Sequence, residues 1–263
     1  MPIPAWSELP KIDRFWSTCA GIGLVGGLKH TRYLVGIELG GVNLTAAKLT
    51  AADLSSCKLT QARFDGADLR KTCLEKADLS HATLFGANLS WTRASEANLA
   101  WAILEKADLT EADLRECDLS FAVLRAAIVN RADLSRANLD GAVLVDATLE
   151  SVDLSGSSLK RANLRGAALP LADLTDTDLS GANLSGADLR GADLEGAVLE
   201  GTRLDGARLG ASDVDEKGVP LKTLLSERVA APVLAAARLL EATWSKLVID
   251  GVEYTPATLA ARG

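Results

Sequence analysis

From Leu39 to Val214 an apolar residue returns at every fifth position, with no insertion or deletion. Of these 36 positions 32 are Leu, and the exceptions are Phe64, Ala94, Val129 and Val214. This spacing excludes the ordinary elements. On an α-helix five residues advance about 500°, so each Leu sits about 140° from the last and no stripe forms. On an unbroken strand an odd spacing sends successive leucines to opposite faces. The chain must therefore bend once in every five residues.

The rest of the repeat fits a short extended side followed by a corner. Two residues before each Leu sits a small residue, usually Ala, as in Ala67-Asp68-Leu69 and Ala187-Asp188-Leu189. Residues two apart point the same way in extended chain, so the small residue and the Leu both face inward. Asp or Asn often lies between them. Such residues, with Ser and Gly, suit turns and local bonds from side chain to backbone.

The A-(D/N)-L-x-x pattern over residues 39–214 resembles the pentapeptide repeat family. The resemblance implies an all-β solenoid, a right-handed quadrilateral β-helix in which four repeats make one coil of about 20 residues. Thirty-six repeats then give about nine coils, and at ~4.8 Å per coil a rod roughly 43 Å long. Stacked coils bury their Leu and Ala columns, and the stability of such a rod is close to a sum over neighbouring coils.

An open coil exposes core and unpaired backbone, so both ends need covers. Residues 1–33, with Trp6, Phe15 and Trp16, read as an N-terminal cap, and Leu34 as a degenerate first repeat. Residues 34–214 are the repeat rod. In residues 215–263 the pattern changes: Pro220 and Pro232 suit helix starts, and apolar residues follow at helical spacing. Leu247 to Tyr254 reads as a hairpin about an Asp-Gly turn. This C-terminal helical and hairpin segment is expected to cap the last coil or to join two copies.

Composition excludes several functions. A formal charge of −7 argues against a protein that grips nucleic acid through a basic surface. The uncharged run Cys19–Leu28 is too short to span a bilayer, so a cytoplasmic location with reduced thiols is expected. Gly21 to Gly26 matches G-x-G-x-x-G, but without the strand and helix that a dinucleotide site needs. Cys57 and Cys117 occupy inward slots three coils apart, too far for a disulfide, and Cys73 stands in an Asp/Asn slot. His30 and His81 lack partners at ligand spacing. No catalytic residue, metal or cofactor is expected. Ala94 breaks the Leu column, with Thr72 and Thr92 on the same inner face, and suggests a local irregularity or bend.

A 20-residue coil sorts the outward residues into columns. Gln61, His81, Trp101, Phe121 and Gly141 form one, and Ile103, Val123 and Val143 form a second in the slot usual for Asp or Asn. Phe85 and Val145 lie at the neighbouring outward slot. Phe85, Trp101, Ile103, Phe121, Val123, Val143 and Val145 thus converge on one side, where water favours polar residues. Such a patch marks an interaction surface, unless a terminal segment folds back over it. A third column is acidic: Asp113, Asp133, Asp153, Asp173, Asp193 and Asp213, with Glu116, Asp176, Glu195 and Glu216 on the same face and Arg115 and Arg136 diluting it.

The expected function is a non-catalytic scaffold or adaptor that binds another protein through the apolar patch, with a homodimer through that patch or the C-terminal segment also open. No direct nucleic-acid or membrane contact is expected. The family resemblance supplies an alternative: a rod whose acidic column imitates a DNA duplex and engages gyrase, a type II topoisomerase. Phe64 is the one Phe among the 36 central positions, where that subset of the family often has many.

Overall fold

The computed structural model describes residues 35–209, together with the backbone of Leu247–Ile249 and Val252–Tyr254. The caps expected over 1–33 and in the helical tail lie outside the described residues, as do the glycine string at 21–26, Cys19, His30, Asp213, Val214 and Glu216.

Each five-residue repeat forms one side of a four-sided coil. The residue before each inward apolar position pairs in parallel with the residue 20 further on, as in Glu38↔Lys58 and Asn43↔Arg63, and these bridges continue to Asp188↔Arg208. Between coils Leu39 N–H donates to the Lys58 carbonyl at 2.7 Å, Lys58 N–H to the Ile37 carbonyl at 2.9 Å, and Gly41 N–H to the Thr60 carbonyl at 2.8 Å. Within a coil the corner closes through Val42 N–H donating to the Leu39 carbonyl at 3.1 Å. The pattern repeats along the rod, so most main-chain donors find main-chain acceptors.

The second residue of every corner, each fifth position from 36 to 206, has φ between 53° and 73°. A positive φ there is the mark of a type II turn. Glycine fills 13 of these corners and other residues fill 22. The geometry costs an L residue about 1 kcal/mol, which accounts for the recurring glycine.

The interior is aliphatic. Leu and Ala columns from Leu39 to Leu209 are buried, with Phe64 among them. Inward hydroxyls bond the coil below: Thr72 Oγ1 donates to the Leu49 carbonyl at 2.8 Å and Thr92 Oγ1 to the Leu69 carbonyl at 2.9 Å. The irregularity expected at Ala94 is absent. Arg93 bridges both Cys73 and Asp113, because the ladder is held by backbone bonds that do not depend on the inward side chain.

The four sides are named here for their first leucines, Leu39, Leu44, Leu49 and Leu54. The Leu44 and Leu54 faces are opposite. Beyond the last bridges, β1 (Arg208–Leu209) pairs in parallel with β2 (Leu247–Ile249), which pairs antiparallel with β3 (Val252–Tyr254). The expected hairpin strands are thus present, and β2 continues the Leu49 face by one rung.

Candidate docking face

The Leu44 face carries the apolar columns. At the corner that leads into it, the His81 and Trp101 rings stack with centroids 6.2 Å apart and planes at 14°. Trp101 and Phe121 stack more closely, at 4.4 Å and 18°. Corner residues one coil apart share a backbone conformation, so their side chains leave in parallel; φ is 58° at His81, 63° at Trp101 and 57° at Phe121. Above Phe121 lies Gly141, which leaves room for the ring. Trp101 and Phe121 therefore each have a neighbour on both sides along the rod axis, and they are 53% and 47% exposed.

Beside the aromatic stack, Ile103, Val123 and Val143 occupy consecutive rungs. Ile103 is exposed and the two valines are half-buried. Where this slot holds Asp or Asn it performs a local task. In Asp53, Asp78, Asn98, Asp118 and their equivalents the side-chain oxygen accepts the N–H two residues on, at 2.9–3.3 Å. That N–H is the donor the coil-to-coil pattern leaves over. Ile103, Val123 and Val143 cannot accept it, and no described residue bonds the N–H of Glu105, Arg125 or Val145. Three consecutive rungs thus forgo a bond worth roughly 1 kcal/mol each in favour of aliphatic surface.

Phe85, at the far corner of the face, is 45% exposed, and Lys106 Nζ lies 5.5 Å from its ring centroid. The expectation for Val145 is corrected. It is buried, at 7% exposure. It is short and β-branched, and its column holds the longer Arg125 one coil below and Arg165 one coil above. Six of the seven expected residues therefore share the face as accessible or half-accessible groups.

The acidic column runs along the opposite, Leu54 face. Asp113, Asp133, Asp153, Asp173 and Asp193 bridge in succession. Their carboxylates serve their own corners. Asp153 accepts the Ser155 N–H at 2.9 Å and hydroxyl at 2.7 Å, and Asp133, Asp173 and Asp193 accept their corner N–H groups in the same way. Asp113 is gripped by Arg115 through two bonds of 2.8 Å, and that guanidinium holds its carboxyl below the usual carboxylate range. Glu116 pairs with Arg136 at 3.6 Å. The face is acidic but internally engaged.

Cys57, Cys73 and Cys117 are buried. Burial pushes the Cys117 thiol up to about 12, although its Sγ lies 2.8 Å from the Ala94 carbonyl. Among the described residues no three His, Cys, Asp or Glu side chains could hold a metal ion, and no helix is long and apolar enough to cross a membrane. Sequence reasoning passed over Trp91, Ile128 and Val198, which are also exposed. For Ile128 and Val198 the signal was available, an aliphatic residue in the Asp/Asn slot. They stand on other faces and make no cluster with the Trp101 group.

The sequence model of the Pentapeptide repeats family matches in 8 copies that together run over residues 33–210. Among solved structures, HetL, a pentapeptide repeat protein involved in heterocyst differentiation regulation from the cyanobacterium Nostoc sp. strain PCC 7120, is 34% identical. The match covers 70% of this chain and 92% of HetL, with a TM-score of 0.26. A pentapeptide repeat protein from the Arabidopsis thaliana thylakoid lumen is 27% identical over 55% of this chain and 77% of its own, with a TM-score of 0.23. QnrB1, a plasmid-mediated fluoroquinolone resistance protein, is 22% identical over 77% of this chain and 97% of its own, with a TM-score of 0.33. No curated protein sequence matches the chain. The repeat grammar, the 20-residue bridging register and the family match agree: this chain belongs to the pentapeptide repeat family and is built as that family's quadrilateral β-helix.

Proposed function

We propose that the protein is a non-catalytic adaptor that docks another protein on its Leu44 face, through Phe85, Trp101, Ile103, Phe121, Val123 and Val143. One observation carries this reading: three successive rungs give up the corner-capping bond to display Ile103, Val123 and Val143 beside stacked aromatic edges. Aromatic residues stacked between neighbours are held in place, and their burial by a partner costs little conformational entropy. The test is retention from native lysate by the wild type and by a Trp101→Glu/Phe121→Glu variant with matched melting temperature. A protein retained by the first and lost by the second supports the reading; equal retention by both sinks it.

A second reading rests on the Asp113–Asp193 column, in which the chain acts on a topoisomerase as a duplex imitation. Its charge is regular, one carboxylate per rung over five rungs. An Asp133→Asn/Asp153→Asn/Asp173→Asn variant keeps the corner bonds, since Asn also accepts them, and removes three charges. Unchanged protection of gyrase by this variant would count against the imitation.

In this account residues 34–214 form the rod, of about nine coils, and residues 215–263 close its end or join two copies. The placement of β2 on the rung above Arg208–Leu209 supports closure. A cytoplasmic location belongs to the same proposal.

A further inference from the structure

The charge around the docking face differs from that of the rod. Residues 35–209 hold 26 carboxylates and 18 Lys or Arg. On the Leu44 face and its corners, between His81 and Gly166, the ratio is reversed: Lys106, Arg125, Lys160, Arg161 and Arg165 against Glu105, Asp140 and Asp146. Arg125, Arg161 and Arg165 are exposed, and none forms an ion pair with a described residue. By contrast, Lys58, Arg70, Lys76, Arg93, Arg115, Arg131 and Arg136, on the other sides, each contact a carboxylate. Arg161 and Arg165 stand at the two corners of the coil just beyond Val143, so they flank the end of the aliphatic stripe.

We infer that the partner presents an acidic amphipathic helix to this face, a refinement that rests on the docking reading above. The dimensions agree. Ile103 to Val143 spans two rungs, roughly 9.6 Å at ~4.8 Å each. Apolar residues at i, i+4 and i+7 of an α-helix span about 10.5 Å. The rung backbone is bonded to the coils on either side, so a partner cannot join it as an added strand and must engage the side chains. Ile103, Val123 and Val143 receive the apolar stripe, the Trp101 and Phe121 edges bound it on one side, and Arg125, Arg161 and Arg165 meet its carboxylates.

Other occupants fit less well. Residues 1–34 carry two acids and four bases, and residues 210–246 five of each, so neither terminal segment supplies excess negative charge. Single-stranded nucleic acid binds by stacking bases on open ring faces, whereas Trp101 and Phe121 here stand in a stack between His81 and Gly141.

The test pans the full chain against displayed peptides of about 20 residues with apolar positions at i, i+4 and i+7 and the remainder randomised. Peptides held by the wild type and lost by Trp101→Glu are expected to carry more Asp and Glu than Lys and Arg. A synthetic copy of the most enriched peptide is expected to lose at least ~10-fold affinity against Arg161→Glu/Arg165→Glu and to weaken as salt rises. Peptides that need Trp101 but are neutral or basic, or ignore the arginines, would overturn the acidic partner and leave the docking face standing. Absence of any Trp101-dependent peptide would overturn both. Arginine-dependent binding of an oligothymidylate probe that competes with the peptide would assign the face to nucleic acid instead.

Discussion

The ring of Phe121 occupies the space that a side chain at residue 141 would need. A Cβ built on Gly141 would lie 2.7 Å from both Cδ1 and Cε1 of that ring. Glycine at this corner therefore does more than accept a φ of 68°; it seats the top of the aromatic stack. Gly186 provides the control, with φ of 70° and open space around it. Gly186→Ala bears only the left-handed strain, about 1 kcal/mol. Gly141→Ala bears the same strain and also displaces the ring. The two variants should differ in melting temperature, and Gly141→Ala alone should shift tryptophan fluorescence. Equal behaviour would mean that the ring moves aside freely.

Restoring Asn to the stripe should separate stability from function. In an Ile103→Asn/Val123→Asn/Val143→Asn variant each new side chain can accept the N–H of Glu105, Arg125 or Val145. The gain expected is up to roughly 1 kcal/mol per corner, less what is lost in aliphatic contact. The melting temperature should hold or rise while binding is lost. A marked fall in melting temperature would show that the stripe serves the fold.

The pH dependence of the rod should include a component from Asp68. Arg70 bonds its carboxylate at 2.8 and 2.7 Å and holds it down at about 2, against a usual 3.8. A depressed carboxylate contributes stability above its unfolded value and loses it as pH falls through its folded value. The contribution should be whole above about pH 4 and gone below about pH 2. Arg70 is half exposed, so the effect is small and screened by salt. Carboxyl NMR should find Asp68 titrating near 2 in the wild type and near the usual value in Arg70→Ala.

Much of this is legible in the sequence alone. The five-residue period forced a bend per repeat, and the 20-residue coil placed Trp101 over His81 and Ile103 beside Val123. Val145 was misjudged because column arithmetic gives direction but not depth. The supposed bend at Ala94 failed because the ladder rests on main-chain bonds. The meaning of the Asp/Asn slot was half visible: local bonding was expected, but not that its target is the one N–H left over by the coil pattern. Without that, the cost of placing Ile103, Val123 and Val143 there could not be read.

The buried thiols should be inert in the folded rod. Cys117 is 1% exposed and its thiol is pushed up to about 12 by burial, so thiolate is scarce at neutral pH. Iodoacetamide at about pH 8, read by mass spectrometry, should spare Cys57 and Cys117 in the native chain and label both in guanidinium. Native labelling of Cys117 at the unfolded rate would show that the coils open readily there.

The most direct test places a photo-crosslinker on either side of the rod. Ile103→p-benzoylphenylalanine reports on the Leu44 face, and Glu116→p-benzoylphenylalanine on the corner beside the acidic column. Irradiated in native lysate, the residue-103 probe should give a discrete adduct with one protein, abolished by Trp101→Glu, while the residue-116 probe gives none. An adduct from residue 116 with none from residue 103 would contradict the account and move the functional surface to the acidic face.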